Sequence, residues 1–254
     1  MNQPSPSKIG ILGTGHIGKT LARRLAAAGH DVKVANSRGP ETIPTEALAT
    51  GAKPVGAEDA VGDVDVLILS VPLSRLPQIA PLLHGIPSGV IVADTSNYYP
   101  HRDEQIDAIE AGQPESLWVS EQLGRPVIKA WNAIGSGSFA TKDRPAGAPD
   151  RIAIPVAGDR AADRWLVMQL VSDTGFDAYD AGSLAMSWRQ QPGSPVYCTD
   201  LLLSEMPAAL ASAQPERLPV RRDLAVAVIQ ERVGDSSTNP DTDFGVRLSR
   251  LIFM

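Results

Sequence analysis

The sequence contains little of what metal sites and disulfide frameworks require. Its 254 residues include one cysteine, Cys198, and four histidines. One cysteine excludes an internal disulfide and a cysteine-rich metal site, and no other ligand cluster is present, so we expect no bound metal. Aromatic residues make up only 5% of the chain, but its hydrophobic content of 43% is sufficient for a packed core.

Long apolar runs and excess positive charge are also absent. The longest apolar run, around 64–73, is interrupted by Ser70 and Pro72 and is far shorter than a membrane span. The N-terminal residues MNQPSPSK lack the apolar stretch of a signal peptide. A formal net charge of −6 argues against a nucleic-acid partner. We therefore expect a cytoplasmic protein with no membrane and no nucleic-acid partner.

The most informative stretch of the chain is KIGILGTGHIG at 8–18. An apolar run is followed by glycines in G-x-G-x-x-G spacing and then by an amphipathic helical pattern over about 16–28. This order of strand, glycine turn and helix is the context in which the dinucleotide-binding motif operates, with the pyrophosphate at the helix N-terminus. The predicted cofactor-binding residues here are Gly13, Thr14, Gly15, His16, Ile17 and Gly18.

The end of the second predicted strand favours NADP over NAD. An NAD site usually has an acidic residue there, whereas this chain continues Asn36, Ser37, Arg38 with no carboxylate. Ser37 can donate a hydrogen bond to a 2′-phosphate, and Arg38 can pair with it and stack on the adenine. The alternative is that this segment is a solvated turn.

Strand and helix patterns alternate through the first two thirds of the chain, which predicts a doubly wound, mainly parallel (Rossmann) α/β sheet with a small C-terminal appendage. We place a dinucleotide-binding domain at 1–182 and an acceptor or dimerisation segment at 183–254. The predicted strands are 9–12, 32–35, 52–55, 64–70, 90–94, 127–131, 152–157 and 176–180. The predicted helices are 16–28, 42–50, 76–83, 101–111, 161–174 and 218–233, and 139–151 and 236–243 are predicted loops.

Ligands of such sheets lie beyond the carboxyl ends of the strands, so the residues that follow each strand are further candidates. Ser70, Val71 and Pro72 follow the fourth strand, and Asn97 and Asn132 follow the fifth and sixth. The two asparagines can bond a carboxamide or a substrate carbonyl, or can serve as turn formers. The predicted substrate pocket contains Trp131, Met186 and Trp188.

Five short motifs occur in the order KIGILGTGHIG, NSR, VLILSVP, VIKAWN and DAGSL over 8–184. Together they resemble the NADP oxidoreductases that use a deazaflavin coenzyme, and more weakly the cytosolic reductase domain of membrane metalloreductases. The resemblance implies NADP(H) bound by the glycine loop with Ser37 and Arg38, and direct hydride transfer between the nicotinamide and a stacked deazaflavin or flavin ring. The tail beyond Ser187 is longer than in that family, and Trp131 stands where phenylalanine is expected.

The distribution of acid–base residues argues against other dehydrogenase chemistries. No tyrosine is followed by lysine four positions later, and all six lysines lie at or before Lys142. We therefore expect an NADP-dependent oxidoreductase whose hydride step needs no acid–base side chain, because the two rings carry the chemistry. A β-hydroxyacid or imine reductase-like dehydrogenase, or a non-catalytic NADP(H)-binding redox sensor, remains the alternative.

Apolar residues recur in the C-terminal segment, at 201–203, 218–229 and 251–253. Contiguous apolar surface of this kind usually marks an interface, and two-fold dimers are the commonest assembly. We therefore expect a homodimer, unless the segment folds back on its own domain.

Overall fold

A computed structural model of the protein describes residues 6–234 and 238–254. Its centre is a six-stranded parallel sheet with the strand order β3-β2-β1-β4-β5-β6, which confirms the predicted doubly wound α/β fold. The strands of this sheet are β1 (Lys8–Leu12), β2 (Asp31–Ala35), β3 (Lys53–Pro54), β4 (Val66–Leu69), β5 (Ile91–Asp94) and β6 (Ile128–Lys129).

Twelve α-helices lie in the described residues. They are α1 (His16–Ala27), α2 (Thr45–Leu48), α3 (Ala57–Val61), α4 (Leu76–Ile79), α5 (Pro100–Asp103), α6 (Asp107–Glu110), α7 (Glu115–Leu123), α8 (Ser136–Thr141), α9 (Ala161–Asp173), α10 (Met206–Ala211), α11 (Leu218–Val233) and α12 (Thr242–Phe253). None of them is both long enough and apolar enough to cross a membrane.

The middle of the sheet is buried on both faces, because the side chains of β1, β4 and β5 alternate between two hydrophobic clusters. On β4, Val66 and Ile68 pack into the cluster that contains α1, whereas Leu67 and Leu69 pack into the cluster beneath α7. A strand that is apolar at every position needs a hydrophobic layer on each face of the sheet, and only strands in the middle of such a sheet have both. This burial places β4 beside β1 at the centre, with its carboxyl end at the cleft described below.

The last predicted strand–helix–strand unit forms, but it leaves the main sheet. β7 (Ala153–Val156) and β8 (Asp177–Asp180) pair in parallel as a separate two-stranded sheet, with α9 between them in sequence. One antiparallel bridge, Lys129 with Ala157, connects this small sheet to the end of β6. The chain after β8 therefore does not continue along the edge of the main sheet.

Several predicted elements are shorter or divided. The helix predicted at 101–111 is two short helices, α5 and α6, because the backbone of Glu104 has a positive φ of 62°. The helix predicted at 42–50 is reduced to α2, and the loop predicted at 139–151 begins inside α8. The short helices α3 and α7 were not predicted, since fewer than ten residues show too little periodicity to recognise.

The C-terminal segment folds back on its own protomer. α11 has the bounds predicted from the sequence, and the unpredicted α12 packs against α11 and α8. Asp241 caps α12 by accepting a hydrogen bond from the amide of Phe244 at 3.0 Å. Residues 236 and 237 of the predicted loop lie outside the described residues, while 238–241 are not helical. The division into 1–182 and 183–254 stays a prediction.

Candidate functional site

A cleft of about 940 Å³ runs along the carboxyl ends of the parallel strands. One end is lined by the first turn of α1 and by the loop after β4, and the middle by the residues directly after β5 and β6. The far end is lined by Tyr99, Tyr197, α11 and α12. Among the predicted site residues, those that line it are Gly15, His16, Ile17, Ser70, Val71, Pro72, Asn97, Trp131 and Asn132.

The glycine loop has the geometry that its sequence pattern predicts. Gly13 has a φ of 109°, and a Cβ there would lie 2.0 Å from the carbonyl oxygen of Ser70. A Cβ on Gly18 would likewise lie 2.0 Å from the carbonyl oxygen of Gly13, so both positions admit only glycine. A Cβ on Gly15 would meet no atom within 4 Å, and it is this open space that faces the cleft. No side chain caps the N-terminus of α1, which leaves its amide N–H groups available to an anion.

Ser37 and Arg38 lie on the exposed loop after β2, next to the glycine loop. The side chain of Asn36 joins the two loops: its Nδ2 donates to Thr14 Oγ1 at 3.2 Å, and its Oδ1 accepts from the amide of Arg38 at 2.8 Å. These bonds fix the backbone of the loop and leave the Arg38 side chain on the surface. One carboxylate is nearby, since a Cβ on Gly39 would lie 2.6 Å from Oε1 of Glu41.

A fully buried ion pair supports the middle of the cleft. Lys129 Nζ lies 2.8 Å from Asp94 Oδ2, and neither side chain is exposed to solvent. The same Nζ donates to the carbonyl oxygen of Ser96, while Asp94 Oδ1 accepts from the amide of Ser96 at 2.9 Å. The pair thus holds the loop after β5 through both backbone polar groups of Ser96, its carbonyl oxygen and its amide. Ser96 Oγ, which is buried at the cleft, has no hydrogen-bond partner in the described part of the chain.

The two predicted asparagines bind each other. Asn132 Nδ2 donates to Asn97 Oδ1 at 3.0 Å and to the carbonyl oxygen of Gln190 at 2.8 Å, and its Oδ1 accepts from Gln190 Nε2 at 2.9 Å. Both amide hydrogens of Asn132 are therefore used inside the protein, and this side chain joins two segments of the chain. Asn97 Nδ2 donates one hydrogen to the carbonyl oxygen of Asn132 and retains a second hydrogen for a ligand.

The predicted substrate-pocket residues need correction. Trp131 borders the cleft through its backbone, but its side chain is fully buried in the core and its Nε1 donates to Thr174 Oγ1 at 3.4 Å. Trp131 has a positive φ of 56°, and its indole packs in the hydrophobic cluster that contains α1. Met186 and Trp188 are not among the lining residues. The segment after β8 packs against α7, and it reaches the end of β6 through Gln190.

The far end of the cleft contains two tyrosines that the sequence analysis did not select. The hydroxyls of Tyr99 and Tyr197 lie 2.8 Å apart, and both residues line the cleft together with Cys198. Burial raises the pKa of both tyrosines well above their ordinary value and raises the pKa of Cys198 to about 12, so all three are protonated at neutral pH. Tyr99 follows the fifth strand closely and could have been noticed, but nothing in the sequence links it to Tyr197.

Three of the five non-glycine residues with positive φ in the described part of the chain lie near these tyrosines. Trp131, Cys198 and Asp200 have φ angles of 56°, 55° and 49°, which side-chain-bearing residues rarely adopt. The amide of Cys198 donates to the carbonyl oxygen of Ala133 at 2.8 Å, and Arg250 donates to the carbonyl oxygen of Asp200 at 3.0 Å. The loop after β6 and the segment before α10 are therefore held together by contacts that offset the strain, an arrangement common at functional sites.

Glu115, at the start of α7, is buried near this end of the cleft. Burial raises its pKa to about 7, although the positive charge of Lys129 acts in the opposite direction. Its Oε2 has no hydrogen-bond partner among the described residues. The carboxyl therefore changes its charge in the physiological pH range.

Comparison with known proteins agrees with this geometry. Residues 8–98 match the sequence model of the family described as NADP oxidoreductase, coenzyme F420-dependent. A solved structure of a hypothetical protein from Sinorhizobium meliloti superposes with a TM-score of 0.67 at 31% sequence identity, covering 78% of this chain and 96% of that protein. The chain belongs to this family of NADP oxidoreductases. The match to the family model ends one residue before Tyr99.

Two curated relatives show similarity over part of their length. The Escherichia coli K12 protein YjhV is 46% identical over 79 residues, which cover 30% of this chain and 58% of YjhV. The rat metalloreductase STEAP3 is 27% identical over 179 residues, 70% of this chain but 34% of that protein. An Arthrobacter structure provisionally described as an F420-dependent NADP-reductase shares the fold, with a TM-score of 0.56 at 19% identity over 92% of this chain and 97% of that one.

Proposed function

We propose that the protein binds NADPH in this cleft and transfers hydride to a second ring system, a deazaflavin or a flavin. The observation that supports the proposal is the continuity of one cleft from the glycine loop to α11 and α12. Its volume of about 940 Å³ is at the upper limit of ordinary ligand pockets and leaves room for a nucleotide with a second ligand beside it.

The residues present fit the nucleotide. The open space at Gly15 and the uncapped N-terminus of α1 suit a pyrophosphate, which binds free amide N–H groups at a positive helix end. Arg38 and Ser37 would hold the 2′-phosphate. The free hydrogen of Asn97 and the unpartnered hydroxyl of Ser96 would orient the nicotinamide half. When bound, NADPH supplies the hydride, and these side chains supply orientation and proximity.

The acceptor would occupy the far end of the cleft. This end has an apolar wall, formed by Ala225, Val226, Ile229 and Phe253. Its polar groups include the hydroxyls of Tyr99 and Tyr197. An apolar pocket with few, well-placed polar groups is suited to a flat heteroaromatic ring. The two tyrosines lie close to the residues that follow β5 and β6, which supports a position for such a ring beside the expected nicotinamide.

The nucleotide part of the proposal is tested by measuring dissociation constants for NADPH and NADH. We expect NADPH to bind at least about tenfold more tightly, because charge-assisted bonds to a phosphate are worth about 1.5–3 kcal/mol. Arg38→Ala should remove most of this preference, whereas Arg217→Ala, on an exposed helical turn outside the lining of the cleft, should preserve it. Equal dissociation constants for the two cofactors in the unchanged protein would contradict the assignment.

The acceptor part is tested by following NADPH oxidation with riboflavin, 5-deazariboflavin and 2-methyl-1-pyrroline as separate acceptors. We expect steady turnover with one of the two ring compounds. Turnover of the cyclic imine alone would favour the imine-reductase alternative. Tight NADPH binding without turnover of any acceptor would favour the redox-sensor alternative.

We also propose a homodimer, now on a smaller surface than the sequence indicated. Leu201, Leu218 and Phe253 are buried within the protomer and are not available for an interface. Val220, Leu224, Leu251 and Met254 remain exposed on α11 and α12. A dimeric mass in light scattering at micromolar concentration, lost in Leu224→Asp, would support this interface, and a monomeric mass for the unchanged protein would rule it out.

A further inference from the structure

The hydroxyl pair at the far end of the cleft has one hydrogen more than it uses. Tyr99 and Tyr197 each carry one O–H donor, and the 2.8 Å contact between their oxygens consumes only one of them. Cys198 also interacts with the Tyr197 hydroxyl. These three groups contain three hydrogens and two links, so one hydrogen is left over, and it belongs to a tyrosine whenever the Cys198 thiol donates to Tyr197.

The surroundings keep this leftover donor in place. The Tyr99 amide donates to Asp103 Oδ2 at 3.0 Å, and the Arg102 guanidinium lies 5.3 Å from the centre of the Tyr99 ring. The Tyr197 ring packs against Phe253, with ring centroids 6.4 Å apart, in an apolar cluster that includes Ala133 and Ala225. Because burial also keeps both tyrosines protonated, the pair presents a fixed, neutral donor in water-poor surroundings.

The location of the pair matches the place where the acceptor reacts. Tyr99 follows Asn97 on the loop after β5, and the Tyr197–Cys198 segment is bonded to Ala133 on the loop after β6. These two loops form the middle of the cleft, where the nicotinamide half of the nucleotide is expected. An acceptor stacked on that half would have its edge at the hydroxyls.

We propose that the Tyr99–Tyr197 pair donates a hydrogen bond, and then a proton, to the oxygen or nitrogen of the acceptor that becomes electron-rich when hydride arrives. The inference rests on the proposed hydride transfer and adds to it a pair of acid residues that the sequence analysis did not expect. It also limits the acceptor to compounds in which the hydride-accepting atom is conjugated to such an oxygen or nitrogen. That atom is N5 in a flavin and a carbon in a deazaflavin or an imine.

The step is balanced within the proposed reaction. The C–H bond of the dihydronicotinamide breaks and its hydride forms a new bond on the acceptor, N–H at N5 of a flavin or C–H on a deazaflavin or imine. The displaced electron pair of the acceptor moves to the conjugated oxygen or nitrogen. The tyrosine O–H bond breaks, a new O–H or N–H bond forms on that atom, and water entering the cleft returns a proton to the tyrosine. A donor aimed at developing charge is worth about 10²–10³ in rate at comparable sites.

The test compares Tyr99→Phe, Tyr197→Phe and the double variant with Tyr179→Phe, which removes the same atom from β8 outside the cleft. Three quantities are measured for each protein. They are the dissociation constant for NADP⁺, the affinity and absorbance shift of riboflavin and 5-deazariboflavin bound to the NADP⁺ complex, and the single-turnover rate in H₂O and D₂O with the same rings and 2-methyl-1-pyrroline.

We expect NADP⁺ affinity to stay within about threefold in every variant, because the hydroxyls lie beyond the nucleotide. Each single variant should weaken ring binding and slow hydride transfer about tenfold, and the double variant should slow it about a hundredfold. The double variant should also lose the absorbance shift and the solvent isotope effect, while Tyr179→Phe should match the unchanged protein.

The outcomes separate the inference from the proposed function. Reduction of a ring acceptor at undiminished rate by the double variant, or by both single variants if the double variant does not fold, would overturn the inference alone. Reduction of only the imine, slowed by the same variants, would support the inference and overturn the ring-acceptor function. Absence of binding and reduction of all three acceptors by the unchanged protein would overturn both.

Discussion

The two ends of the cleft are lined by different parts of the chain, one mainly by backbone and the other mainly by side chains. The nucleotide end consists mainly of backbone, contributed by the glycine loop and the turn after β4 within 8–98 of the chain. The far end consists mainly of side chains that are distant in sequence, namely Tyr99, Tyr197, Arg222 and Phe253. A backbone site depends on local conformation, whereas a side-chain site depends on how separate segments pack.

This difference explains why similarity to other proteins supports one ligand of the cleft and not the other. The family match covers the nucleotide end and ends before the first residue of the tyrosine pair. Membership of the family therefore supports nucleotide binding. The identity of the acceptor has to be inferred from the far end of the cleft in this particular chain. Four predictions test whether the two ends differ in the way that their construction implies.

The largest effect is expected where the two ends meet, at the buried Lys129–Asp94 pair. Lys129→Met leaves the carboxylate of Asp94 buried without a cation, which should lower the free energy of unfolding by about 3–5 kcal/mol. The matched control is Lys53→Met, since Lys53 forms an equally short but exposed pair with Asp31. That change should lower stability by less than about 1 kcal/mol. Urea unfolding measures both, and equal small losses would show that the buried pair is not a support of the cleft.

Glycine substitutions should separate folding from binding at the nucleotide end. Gly13→Ala combines an unfavourable φ with a Cβ placed 2.0 Å from Ser70 O, and should lower stability by about 2–4 kcal/mol. Gly15→Ala has a φ of −66° and open space around its Cβ, so its melting temperature should be nearly unchanged. Because that Cβ would fill the space meant for the pyrophosphate, NADP⁺ affinity should nevertheless fall at least about tenfold. Unchanged affinity in Gly15→Ala would refute the proposed phosphate position.

Glu115, near the far end of the cleft, should make the free energy of unfolding depend on pH. Its pKa is raised from 4.5 to about 7 on folding, so the folded state binds the proton more tightly than the unfolded chain does. The resulting stabilisation is complete below about pH 4.5 and is lost as the pH rises through about 7, a change of about 3 kcal/mol. Glu115→Gln should flatten the stability profile between these values, and the exposed Glu216→Gln should leave it unchanged. Denaturant unfolding at four pH values from 4.5 to 8 gives the comparison, and a slope retained in Glu115→Gln would assign the titration elsewhere.

The smallest effect is expected at Glu41, whose carboxylate lies over Gly39 beside Arg38. Glu41→Gln removes a negative charge near the expected 2′-phosphate and should strengthen NADP⁺ binding about twofold to threefold at low salt. The gain should shrink at 0.5 M salt, and NAD⁺ affinity should not change. Glu58→Gln, an exposed carboxylate in the first turn of α3, serves as the control. An equal gain for NAD⁺ would place the phosphate away from this loop.

The sequence by itself determined the sheet and the nucleotide end. Short apolar runs such as 66–69, bounded by turn residues, predicted strands buried on both faces, and the glycine spacing at 13–18 predicted a turn between a strand and a helix. The bounds of α11 were likewise predictable from its apolar spacing. These signals are local, since each depends on residues within about ten positions of one another.

Only the tertiary structure decided the far end. The indole of Trp131 lies in the core, and Trp188 lies on a segment that packs against α7. Contacts between segments about a hundred residues apart bring the hydroxyls of Tyr99 and Tyr197 to 2.8 Å. Such contacts have no periodicity or spacing in the sequence, because they depend on packing between elements and not on the conformation of any one of them.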